Sequence, residues 1–165
     1  MNGTNRRRIT QSAPQIPLPQ ISPFWGLLPR TLLNKVKDFF VYGTSFLPLG
    51  AGLTVTNTIT IEADSDFLFC ALNVITTDVA NVVFAASQPF LIALDDTASG
   101  RRFQNGAVHV DTLRGTGQLP GYLPFAKLLR ANGALSITLQ NLDAANGFNV
   151  RVSCLGFKVF AAMEG

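Results

Sequence analysis

At 165 residues the chain has room for one domain with a single core, burying roughly two-thirds of the surface its unfolded form exposes. Apolar residues make up 47% of it and charged residues only 14%, against about 25% in ordinary soluble domains, so part of the surface is expected to lie against other chains. The net charge of +3 does not describe a broadly basic body: residues 1–40 hold six basic residues against Asp38, leaving seven basic against nine acidic residues after it.

The chain opens with "MNGTNRRRITQSAPQIPLPQISPFWGLLPR", which carries five of the nine prolines: Pro14, Pro17, Pro19, Pro23 and Pro29. Proline removes amide donors and fixes φ, so residues 1–35 read as an extended arm in front of a body spanning 36–165. Arg6, Arg7 and Arg8 form a basic tip, followed by Ile16, Leu18, Ile21, Phe24 and Trp25. Exposed in water those five side chains are unfavourable, so the arm reads as a tether that orders on a partner, with all eight residues as partner-binding candidates. The arginines are not followed by the apolar run of a secretory signal, and a chain made and used without export is the expectation.

"RTLLNKVKDFF" has helical spacing, yet Val36, Phe39, Phe40 and Val41 equally suit the start of a strand, with a strand candidate over Phe39–Leu47. From Leu53 to Ile61 the period is two: Leu53, Val55, Asn57, Ile59 and Ile61 share one face and four threonines the other, which predicts a half-buried strand. Phe67 to Ile75 is apolar on both faces and is expected to lie more centrally. Further strands are predicted within Val82–Ala86 and over Phe90–Asp95, Ala107–Val110, Phe125–Leu129, Ala134–Asn141 and Phe148–Phe160. Asn105-Gly106, Asn132-Gly133 and Asn146-Gly147 are expected to supply positive φ angles at turns, and Pro120 and Pro124 confine their segment to a loop or sheet edge. About eight short strands with almost no helix indicate an all-β fold, an antiparallel jelly-roll-like β-sandwich with an extended N-terminal arm.

No stretch reaches 18 apolar residues, since Val79 to Leu94 is broken by Asn81, Ser87, Gln88 and Pro89, so no membrane partner is expected. His109 is the only histidine and reads as a strand residue facing solvent or an interface. Cys70 and Cys154, the only cysteines, sit in apolar runs as two buried thiols, though a disulfide between them is compatible with the sequence. The acids of "EADSD" lack the glycine and terminal glutamate of a helical calcium loop, and "GTGQLPG" has neither the spacing nor the helix of a phosphate loop. No catalytic residue, metal ligand or cofactor site is assigned, and an enzyme is not expected. Arg101, Arg102 and Phe103 in "ASGRRFQNG" form a candidate contact loop; nucleic acid is the weaker reading of it, because the body offers no wider basic face.

Three stretches carry a resemblance of pattern: "FFVYGTSFLPLGAGLTVTNTITIEADSDFLFCALNVITT", "LIALDDTASGRRFQNGAVHVD" and "LPGYLPFAKLLRANGALSITLQNLDAANGFNVRVSCLGFKVF". Over roughly residues 39–160 the chain resembles small jelly-roll virion structural proteins of tailed bacteriophages, of the capsid cement or decoration type. The resemblance implies a virion protein, assembled in the host cytoplasm, that forms dimers or trimers and binds the major capsid protein or another virion protein. A neck, tail or head-fibre component is the neighbouring alternative. A carbohydrate-binding β-sandwich is another, and it predicts exposed aromatic residues converging on one groove.

Overall fold

The computed structural model describes residues 32, 35, 37–80, 82, 89–114 and 121–160. Arg6 to Trp25 and the expected strand after Val82 lie outside the described residues. Within them the chain forms β1 (Lys37–Leu49), β2 (Thr54–Thr60), β3 (Asp66–Thr77), β4 (Phe90–Asp96), β5 (Arg101–Arg102), β6 (Val108–His109), β7 (Gly121–Leu129), β8 (Ala134–Asn141) and β9 (Phe148–Val159), with a 3-10 turn at Val110–Thr112. Two sheets result: one in the order β1-β9-β3-β7, the other β2-β8-β4-β5, with β6 also pairing to β4. The chain passes from one sheet to the other at every step except β4 to β5 and β6. That is the connectivity of a jelly roll, with β5 and β6 sharing one interrupted strand position.

The sheets meet through their inner faces. Phe67, Phe69, Leu72, Val150 and Val152 of the first sheet pack on Ile59, Phe90, Ile92, Leu94 and Ile137 of the second. Aromatic rings bind this core together: Tyr42 meets Phe67 edge-on at 4.8 Å between centroids, and Phe90 meets Phe148 at 5.3 Å. At one long edge the sheets are tied by Asn57 of β2, which donates to the Ser45 carbonyl of β1 at 2.8 Å and to Thr44 Oγ1 at 3.2 Å.

The strand reading of "KDFF" holds and the helical one does not: from Lys37 onward the segment is β1, because Phe39 and Val41 have β9 to pair with. β3 lies between β9 and β7 while β2 is an edge strand, in line with their patterns. β7 is likewise an edge strand and tolerates Pro124 there. Of the three expected positive-φ turns one forms, at Asn132 (φ 59°), and Asn105-Gly106 and Asn146-Gly147 do not; the further positive φ angles among the described residues are at Gly52 (66°) and Gly100 (65°). Asn146 needs no left-handed backbone because the Asp143 carboxylate accepts the Ala145 and Asn146 amides and so holds that turn.

Candidate interaction surface

A solvated antiparallel sandwich shows polar side chains on both outer faces. The second sheet does so along β2 and β8: Thr54, Thr56, Thr58 and Thr60 stand beside Gln140, Thr138, Ser136 and Ala134, and the Thr56 and Thr138 hydroxyls bond at 2.8 Å, while β4 adds Leu91 and Ala93 to these rows. The first sheet does not. Its register lines up Phe39 of β1, Phe157 of β9, Leu68 of β3 and Leu128 of β7 in one row. The next outward row is Val41, Leu155, Ala71 and Tyr122, so two apolar ladders cross all four strands on the outside of the sandwich. Beyond them the face turns polar with Gly43, Ser153 and Asn73.

The middle of this face is buried and its flanks are partly exposed. Leu68, Cys70 and Ala71 are fully buried, and Leu32, itself only 6% exposed, packs with them and with Val159. Phe39 on one edge strand is 57% exposed and Tyr122 on the other 41%, with Val41 at 43%. Leu32 is held where the chain approaches β1, its carbonyl accepting the Lys35 amide at 3.3 Å. Leu32 therefore places the chain before β1 on this face at that point.

β3 supplies both faces through a bulge. Phe67 and Phe69 point into the sandwich and Leu68 out; a register shift between Phe69 and Ala71 then reverses the phase, so Cys70 and Ala71 face out and Leu72 and Val74 face in. Cys154 of β9 belongs to the inner core, so the two cysteines lie on opposite faces of one sheet and both are free. Burial pushes each thiol up to about 12.

The acids of "EADSD" serve the fold. Glu62 and Asp64 both accept from Lys158 Nζ, which sits over the Phe40 ring at 4.6 Å, and Asp66 binds Arg130 at 2.9 Å and the Ala131 amide at 3.0 Å. Lys158 holds the Asp64 carboxyl below its ordinary range, and Glu62 and Asp64 in turn raise the lysine. Among the described residues no group of three or more His, Cys, Asp or Glu is placed to hold a metal ion, and no helix is long and apolar enough to cross a membrane.

Arg101 and Arg102 form β5 at the edge of the second sheet, exposed, beside a cleft of about 640 Å³ whose walls also include Lys127 of β7 and Arg130 just after it. Arg102 faces Asp95 at 3.5 Å. The Phe103 ring turns inward to Phe69, 5.8 Å between centroids, rather than standing out to stack. His109 is half-buried, its Nδ1 accepting the Asp111 amide at 3.4 Å. The outer face of the first sheet was the feature not named from sequence; its signal was the run from Phe67 to Ile75 with no polar face.

No protein-family model matches the chain, and no curated protein matches it. Among solved structures, the chain is similar to the infectious bursal disease virus VP2 subviral particle, with a TM-score of 0.36 and 12% identity over 75% of this chain. The match takes in 33% of that chain, so this protein spans about a third of its length.

Proposed function

We propose that this protein is a structural subunit of a virus particle, a capsid cement or decoration protein that oligomerises and bridges neighbouring capsomers. The observation that carries the subunit reading is the outer face of the first sheet. Phe39, Val41 and Tyr122 stand exposed at the ends of two apolar ladders, while β2 and β8 of the opposite outer face present threonine, serine and glutamine, with Leu91 and Ala93 of β4 beside them. Such asymmetry suits a domain with one face to solvent and one to a neighbour. The jelly-roll connectivity and the resemblance to phage virion proteins support the particle it serves. The mechanism is mechanical: a rigid sandwich sits at a junction, and apolar side chains buried across it contribute about 1.5–3 kcal/mol each before ordering costs.

A carbohydrate-binding sandwich fits less well. Phe39 and Tyr122, the aromatic residues most exposed among those described, stand on the two opposite edge strands of the sheet and do not converge on a groove.

Light scattering on the full-length protein tests the subunit reading, with a dimer or trimer expected. Mixing it with shells that lack it is expected to raise their resistance to heat. A monomer that leaves such shells unchanged would remove the proposal.

A further inference from the structure

The apolar face needs an occupant, and the chain's own connectivity names one. Leu32 is seated on it in one cluster with Leu68, Cys70, Ala71 and Val159, so the chain before β1 lies on this face at that point. The apolar strip is small: three inter-strand spacings make it about 14 Å wide, and along the strands it comprises two ladders before the row of Gly43, Ser153 and Asn73. Trp25 lies seven residues before Leu32 and Ile16 nine before that. At about 3.1 Å per residue if extended, those segments would reach roughly 22 Å and 50 Å from Leu32. If extended, the arm is long enough to carry Ile16–Trp25 beyond this strip and onto a neighbouring copy.

We propose that Ile16–Trp25 of one copy docks on the outer β1-β9-β3-β7 face of a second copy, covering Phe39, Val41 and Tyr122 there. The inference rests on the subunit reading above and gives its contact. Ile16, Leu18, Ile21, Phe24 and Trp25 match the face in character. Pro17 and Pro19, alternating with Ile16 and Leu18, leave an extended segment amides along one edge only, which limits pairing with a sheet edge and favours docking by its side chains on a face. The exchange links copies without requiring the two bodies to fit one another.

Trp25 is the only tryptophan of the chain, so its fluorescence reports the arm alone. In the full-length protein at high concentration its emission is expected to lie well to the blue of that in denaturant. It should move to the red on dilution, in step with loss of mass by light scattering. Val41→Lys and, separately, Tyr122→Lys, both at exposed positions, are expected to give the red-shifted emission and lower mass at high concentration with an unchanged far-UV circular dichroism spectrum. An oligomer whose Trp25 emits as in denaturant overturns the docking and leaves the subunit reading standing. Blue emission that persists when the mass has fallen to that of a monomer places the segment on its own body and overturns the exchange. A monomer at every concentration overturns it as well, and counts against self-association in the subunit reading.

Discussion

Cys70 and Cys154 lie on neighbouring strands of one sheet and point to opposite sides of it, Cys154 into the sandwich and Cys70 toward Leu32. The Cys70 thiol donates to the Leu68 carbonyl at 3.3 Å. Neither thiol is expected to react with a disulfide reagent in the native protein, and both should react once denaturant is added. Cys154→Ser places a hydroxyl in the inner core and is expected to destabilise by about 1–3 kcal/mol, and Cys70→Ser by less, because its hydroxyl can keep the bond to Leu68. Urea midpoints of the two variants check the order.

Leu32 belongs to the same buried outer cluster as Cys70. Leu32→Ala is expected to cost about 2 kcal/mol, the low end for removing a buried leucine, since the site lies at the margin of the body. The more specific expectation is chemical: in the variant Cys70 reacts measurably faster than Cys154 under native conditions. Equal rates would mean that Leu32 does not shield it.

Gly156 sits where β9 passes the bulged part of β3, and a Cβ there would overlap the Leu68 carbonyl, which cannot move without breaking the sheet. Gly156→Ala is expected to destabilise by about 2–3 kcal/mol, more than Gly106→Ala, which has open space around it. Thermal melts of both variants decide it.

Stability should be flat in the middle of the pH range and fall at both ends. The Asp64 carboxyl is lowered by Lys158 and that of Asp143 by Asn146, each from an ordinary value of 3.8. Their contribution is present above that pH and lost as pH falls below it, where the unfolded chain takes up protons the folded one resists. The thiols are raised from 9.0 to about 12 by burial, so their contribution is full below pH 9 and lost as pH rises toward 12. Lys158, raised by Glu62 and Asp64, adds to the alkaline loss with the same sign. Lys158→Met should lower the melting temperature at neutral pH and return the Asp64 titration, followed by NMR, toward its ordinary value.

What could be read in advance follows from the reach of each signal. β2 and β8 were legible nearly to the residue because each has one polar face, and a period of two is written locally in Thr54–Thr60 and Ala134–Asn141. β3 was legible as a central strand, but its bulge was not: Leu68, Phe69, Cys70 and Ala71 are all apolar, so a reversal of phase leaves no mark in the pattern. Phe103 in the "GRRFQNG" loop could not be told from a contact residue, since its turn toward Phe69 depends on a strand more than thirty residues earlier.

The amino-acid pattern alone determined that this chain makes short strands, which of them have a solvent face, and that a proline-spaced apolar arm precedes them, because side-chain periodicity and proline chemistry act over a few residues. Only the tertiary structure decided that Phe39 meets Phe157 and that Leu68 meets Leu128, which joins four separate apolar stretches into one outward face. Strand order and register are chosen by pairings between residues up to about 120 positions apart, and local periodicity carries no record of which partner a strand will take.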